Sequence, residues 1–303
     1  MTSVSLPPNL QRIDPQANAV PLQPFVLYHD DFLKVLGTKA EADRQRRNLL
    51  AHEGVWIPES REVFFTSNQF YGDAKHHHRV IRISKIKAAR ALTPQSPILT
   101  GNGATNFDDG VLFCQQGSTV RHCFYGRPFN APNDVVVLPM DGSIWFTDPD
   151  YAQLQSLRRF RRLSNQVYCF SADNWNIAFL PDWKRCYITD TEAYDGLGNN
   201  VARAAATVYV QDVVEQKSPS CKRVFAFAYC GAPDGIKVDL AGNVYIGCVD
   251  SGHVRNPSGT LIGKILVPRG IADLCFADPG TIILLSEARI FEVKCAAQGT
   301  LVR

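Results

Sequence analysis

Four stretches of this chain repeat one short design, and a chain made of such repeats has few ways to bury itself. They are Glu53-Gly-Val-Trp-Ile-Pro-Glu-Ser-Arg-Glu-Val-Phe-Phe-Thr-Ser67, Pro132-Asn-Asp-Val-Val-Val-Leu-Pro-Met-Asp-Gly-Ser-Ile-Trp-Phe-Thr-Asp148, Trp175-Asn-Ile-Ala-Phe-Leu-Pro-Asp-Trp-Lys-Arg-Cys-Tyr-Ile-Thr-Asp190 and Pro233-Asp-Gly-Ile-Lys-Val-Asp-Leu-Ala-Gly-Asn-Val-Tyr-Ile-Gly247. Each reads as a run of β-branched and aromatic residues, a turn of Asp, Gly, Asn or Pro, and a second such run, whereas long stretches at helical period are almost absent. The starts lie 42 residues apart (133 to 175) and 59 apart (175 to 234), a spacing that suits one propeller blade per unit. The gap of 80 (53 to 133) leaves room for a further unit, beginning near Asn102-Gly103 and containing Gly110-Val-Leu-Phe-Cys114. A last unit covers Gly270–Phe276, Ile282–Leu285 and Ile290–Val293. The expected fold is all-β, a single six-bladed propeller over residues 41–303 behind an N-terminal extension of residues 1–40. Met1–Pro24 holds five prolines and no blade pattern, so it is expected to pack along the outside or to be partly disordered; Ala40–Leu50 is expected to form one short helix.

In a propeller the innermost strand of every blade starts at one end of a central channel, so residues opening those strands converge there. That singles out Glu53, Asn133, Trp175 and Asp234, with His52 and Asn176 beside two of them. Composition narrows the partner. With 32 Lys+Arg against 29 Asp+Glu, a net charge of +3 gives no electrostatic case for nucleic acid, and a small molecule is the expected ligand. Met1–Val20 lacks the apolar core of a signal peptide and no run approaches membrane-spanning length, which predicts a cytoplasmic protein with no membrane partner. The nine cysteines contain no C-x-x-C pair and several sit in apolar runs, so buried free thiols are expected. His76-His77-His78 reads as a solvated blade edge, and Arg158-Arg159-Phe160-Arg161-Arg162 as a solvated loop over the channel mouth, with a substrate lid and then nucleic-acid contact as the alternatives.

Phe129-Asn-Ala-Pro-Asn-Asp-Val135, the following Asp141-Gly-Ser-Ile-Trp-Phe-Thr-Asp-Pro149, and Ala232-Pro-Asp-Gly-Ile-Lys-Val-Asp239 resemble signature segments of the gluconolactonase family, the regucalcin-like (senescence marker protein) lactonases, with support from Asn165-Gln-Val-Tyr168 and Asn256-Pro-Ser-Gly259. The resemblance runs from about His52 to Val293 and implies a divalent cation at the channel mouth, held by a Glu, an Asn and an Asp from three inner strands with another Asn nearby. By position these are Glu53, Asp234 and, for the nearby amide, Asn133; Trp175 stands where the ligand Asn belongs. Indole has no lone pair for a hard cation, so the expectation is a site without metal or other cofactor, in which Glu53 and Asp234 share a proton across the channel.

A donor, an amide and aromatic walls without a Lewis acid suit orienting a large apolar substrate. The degraded metal site is similar to that of a fungal offshoot of these propellers, the hetero-Diels-Alderases of tropolone-sesquiterpenoid biosynthesis. The first reading is therefore a metal-independent pericyclase joining a tropolone quinone methide to a humulene-type diene, with Glu53, Asn133 and Asp234 catalytic and Trp175, Phe129, His52 and Asn176 binding substrate. The alternative is a calcium- or zinc-dependent lactonohydrolase; a non-catalytic binding propeller is the third reading.

Overall fold

The computed structural model describes residues 24–38, 40–47, 51–67, 80–84, 89–91, 101–107, 110–115, 123–124, 127–137, 142–154, 163–170, 178–179, 181–194, 201, 204–214, 218–286 and 289–300. Antiparallel sheets follow one another along the chain. Ala51–Ile57, Glu62–Ser67, Val80–Ser84 and Ala89–Ala91 form the first; Gly101–Phe107 pairs with Gly110–Gln115, followed by the short ladder Cys123–Phe124 with Arg127–Pro128. Val135–Val137, Ile144–Asp148 and Gln166–Phe170 make the next, and Ala178–Phe179, Arg185–Asp190, Thr207–Val214 and Ser218–Phe227 the one after. Pro233–Val238, Val244–Cys248, Gly252–Arg255 and Leu261–Ile265 follow, then Asp273–Phe276, Thr281–Ser286 and Arg289–Lys294. The described residues thus form successive antiparallel sheets, and the chain is an all-β propeller.

Apolar clusters lie between consecutive sheets, which is why strands such as Thr281-Ile-Ile-Leu-Leu-Ser286 are buried along their whole length instead of alternating. Cys114 meets Phe129, Val135, Phe146 and Tyr168; Trp145 meets Cys186 and Val213; Tyr187 and Val208 meet Ile236 and Ile246; Tyr245 and Ile262 meet Leu274 and Leu284. The ring closes where Ile283, Leu285 and Ile290 of the last unit pack on Trp56, Val63 and Phe65 of the first.

The segment before the first inner strand takes part in that closure. Glu41–Arg47 is a strand, not the expected helix, and pairs with Arg289–Lys294 as the outermost strand of the last sheet. Its propensity for helix is overridden by an open edge whose backbone groups need partners. Phe25–Leu27 adds a fifth strand to the preceding sheet, in register with Gly263–Ile265. The one helix here is Asp31–Leu36, which buries Phe32 and Val35, one turn apart, in the apolar cluster between the last two sheets and stops at Gly37, whose φ is 69°. Cys114, Cys186, Cys248 and Cys275 are free and buried, and Cys221 is free and exposed. Among the described residues no helix is long and apolar enough to cross a membrane.

Candidate active site

Three inner strands open in the same irregular way. The register of Ala51–Ile57 slips between Ala51 and Gly54, that of Gly101–Phe107 between Gly101 and Ala104, and that of Pro233–Val238 between Pro233 and Ile236. A bulge breaks the two-residue alternation and re-aims a side chain. Each bulge carries an oxygen-bearing residue followed by glycine: Glu53-Gly54, Asn102-Gly103 and Asp234-Gly235. The glycines are required by close approach. A Cβ on Gly103 would stand 2.5 Å from the Asn133 carbonyl oxygen, and one on Gly235 would stand 2.1 Å from an Asp273 carboxylate oxygen. Their N–H groups instead bond the next sheet, Gly103 to the Asn133 carbonyl at 2.6 Å and Gly235 to the Ala272 carbonyl at 2.8 Å. The Gly54 N–H donates to Asp273 Oδ2 at 3.0 Å.

Asn133 and Asp134 are delivered by the Ile144–Asp148 strand. Asp148 is fully buried and its two carboxylate oxygens accept the successive N–H groups of Asn130 (2.8 Å) and Ala131 (2.7 Å). Thr147 completes the clamp: its carbonyl accepts the Asn133 N–H at 2.9 Å, and its hydroxyl accepts the Asp134 N–H at 2.9 Å. The Asn130 side chain holds both the N–H and the carbonyl of Leu163. The Thr-Asp ending of this strand is thus structural, and it fixes where the acid before Val135 points.

These elements gather a charge cluster along the channel, in which Glu53 and Asp273 are buried and Asp134, Asp234 and Lys237 half-buried. Glu53 is 5% exposed, and burial, then the charges of Asp273, Asp134 and Asp234, push its carboxyl well above the usual range while Lys237 opposes them. Asp134 is also raised, by burial first, with Lys237 pulling the other way. Lys237 Nζ lies 3.2 Å from Asp273 Oδ1, and Asp273, Asp134 and Glu53 hold the ammonium above its ordinary value against the cost of burial. A cavity of about 110 Å³ follows the inner strands, lined by Gly54, Asn106, Asp134, Trp183, Lys237 and Cys275 among others. Four carboxylates around one ammonium leave the channel strongly acidic, and Asn102, 2% exposed, has a buried Oδ1 with no hydrogen-bond partner. Hard oxygen donors in carboxylate excess, with an orphaned amide oxygen on the third bulged strand, fit a divalent cation.

Of the residues singled out in the sequence, Glu53 and Asp234 come into electrostatic contact, but Asp273 and then Asp134 act more strongly on Glu53 than Asp234 does. Asn133 is half-buried. Phe129 is 7% exposed, with its ring edge-on to Phe146 and Tyr168 at 4.9 Å each, so it is packed in the core cluster between two sheets. His52 is described only as part of its strand, and Trp175, Asn176, His76-His77-His78 and the Arg158–Arg162 run lie outside the described residues. Asn256-Pro-Ser-Gly259 is a turn: Asn256 Oδ1 accepts from the Ser258 N–H, the Ser258 hydroxyl and the Thr260 N–H. Sequence reasoning missed Asp134, Lys237, Asp273 and Asn102. The signal for Asn102 was there, as the same polar-residue-then-glycine opening as Glu53-Gly54 and Asp234-Gly235; the other three carry no sequence mark distinguishing them from turn and strand residues.

Similar proteins are found by sequence and by fold. A gluconolactonase of Zymomonas mobilis is 24% identical over 57% of this chain and 52% of its own length. Lactonohydrolase oryL of Aspergillus oryzae is 28% identical over 63% of this chain and 55% of its own. The chain therefore spans about half the length of the curated relatives it matches. The solved structure of a gluconolactonase from Xanthomonas campestris superposes with a TM-score of 0.74 at 18% identity, covering 91% of this chain and 96% of that one, a likeness of fold. The family model for the SMP-30/Gluconolactonase/LRE-like region matches residues 55–286, which takes in the inner strands carrying Asp134, Asp234 and Asp273, and on that match the chain belongs to the SMP-30/gluconolactonase family.

Proposed function

We propose that this protein is a lactonohydrolase that opens a small cyclic ester within the propeller channel. The observation carrying this reading is the acidic cluster itself, in which Glu53 and Asp234 emerge from matching bulges beside Asp134 and Lys237. Family membership and the two curated relatives, both named for lactone chemistry, support it. The pericyclase reading rests on Trp175, outside the described residues, and on Phe129 as a stacking surface, whereas Phe129 is packed in the core.

Glu53, Asp234 and the Asn102 amide oxygen would hold a divalent cation, which supplies a Lewis acid for the carbonyl and a more acidic water. The remaining work belongs to the chain. Asp134, half-buried and raised above the usual carboxylate range, takes the proton that water loses as its oxygen bonds the acyl carbon. When the ring acyl C–O bond breaks, Asp134 returns that proton to the departing alkoxide, and the product is an open hydroxy acid. Asn133, beside it on the clamped segment, offers an amide donor to the lactone oxygen. Lys237 stays an ammonium and, by pairing with Asp273, prevents the whole cluster from protonating.

The test is hydrolysis of a panel of aldonolactones by the full chain after chelation and after reloading with Ca²⁺ or Zn²⁺. Turnover lost on chelation and regained on reloading is expected, and Asp134→Asn should lower kcat by about 10²–10⁴-fold with a smaller change in KM. Metal-loaded protein inert toward the panel, or Asp134→Asn at full activity, would refute the proposal.

A further inference from the structure

A second cluster of ligating side chains sits in the next hairpin and takes no part in the chemistry above. Val244–Cys248 and Gly252–Arg255 are joined by a turn reading Cys248-Val-Asp250-Ser-Gly-His253. The Cys248 sulfur, a carboxylate oxygen of Asp250 and a ring nitrogen of His253 all lie within 4.8 Å of one another. Cys248 and His253 are each 1% exposed, while Asp250 is 30% exposed in its side chain and forms the way in.

The turn is held from both sides. The Cys248 N–H donates to the Ser251 carbonyl at 2.9 Å, the Ser251 N–H donates back at 3.2 Å, and the Ile271 N–H donates to the Cys248 carbonyl at 2.9 Å. Gly270 is so close that a Cβ there would meet the Val249 carbonyl oxygen at 2.2 Å. His253 Nε2 is 2.9 Å from Asp250 Oδ1, and Lys264 Nζ donates to the other oxygen, Oδ2, so one carboxylate oxygen is oriented by an outer partner while the other faces the imidazole. Within the same turn the Ser251 hydroxyl is fully buried and has no hydrogen-bond partner, an arrangement that is costly unless something fills it.

We propose that Cys248, Asp250 and His253 form a binding site for a borderline-soft divalent cation of the zinc type, separate from the oxygen-lined channel. Thiolate, imidazole and carboxylate are the ligand set zinc prefers, whereas calcium and magnesium take oxygen alone. Three protein ligands leave a fourth position for water. Binding releases the Cys248 thiol proton to solvent, so the sulfur enters as thiolate.

Co²⁺ serves as the probe, because a thiolate ligand produces a sulfur-to-cobalt charge-transfer band in the near ultraviolet that oxygen donors do not. Titration of the full-length protein should raise this band to saturation at one ion per chain, and Zn²⁺ should bleach it. The band should persist in Glu53→Gln, which separates the two sites whatever the fate of the lactonase reading. Cys248→Ser should abolish it. Asp250→Asn should keep the band and weaken Co²⁺ affinity by about 10–100-fold. Absence of the band in the unsubstituted protein with Co²⁺ in excess, its survival in Cys248→Ser, or unchanged affinity in Asp250→Asn would each overturn the proposal.

Discussion

Asp148 shows how one side chain positions a site it does not join. Both its oxygens are taken by backbone N–H groups of the segment that carries Asn133 and Asp134. Asp148→Asn turns one acceptor into a donor facing an N–H, so it is expected to cost about 2–3 kcal/mol in urea unfolding and to lower kcat through displacement of Asp134. Phe129 gives the opposite expectation. Its ring is enclosed by Phe146 and Tyr168, so Phe129→Leu should lower stability by about 1–3 kcal/mol while leaving KM near its original value, whereas a substrate-stacking role would raise KM with stability unchanged. Glu53 bears on pH. Its native carboxyl lies well above the usual range, so between the ordinary carboxylate pKa and that raised value the folded protein keeps a proton that the unfolded chain gives up. In cation-free protein, stability should therefore fall as pH rises through this window, and Glu53→Gln should flatten the slope in denaturant titrations run across it.

At the scale of strands, the repeated bulge matters most. A regular strand would send Glu53 and Asp234 alternately toward neighbouring sheets and the axis according to register alone, whereas the bulge lets the residue before each glycine be re-aimed independently of the ladder. Gly235→Ala places a methyl against Asp273, whose backbone belongs to the neighbouring inner strand, and cannot be absorbed by a side-chain rotation alone. It is expected to destabilise the fold by about 1–3 kcal/mol and to weaken divalent-ion binding in the channel, read by calorimetry. Asp239 closes the hairpin behind it in similar fashion, accepting from the Asn243 N–H, the Asn243 side-chain amide and the Tyr245 hydroxyl.

For the molecule as a whole, the N-terminal segment ties together the last two sheets of the ring. Glu41–Arg47 covers the outer edge of the last sheet, Phe25–Leu27 the outer edge of the sheet before it, and Phe32 and Val35 sit in the cluster between those two sheets. Burial of those two side chains alone contributes about 3–6 kcal/mol. A chain lacking residues 1–47 should show a lower midpoint and a broadened, less cooperative thermal transition by calorimetry.

The strand-and-turn repeat was readable because side-chain type, turn residues and spacing are properties of neighbours along the chain. So was the place of Glu53 and Asp234 at the openings of inner strands. The strand at Glu41–Arg47 was not readable, since its charged residues favour helix and only a distant open edge makes a strand the better choice. Nor were Asp134, Lys237 and Asp273, or the grouping of Cys248, Asp250 and His253 around a clamped turn. The channel charges take their meaning from which inner strands end up a few ångströms apart, which the closing of the ring sets, whereas the Cys248, Asp250 and His253 grouping is set by the fold of one hairpin turn.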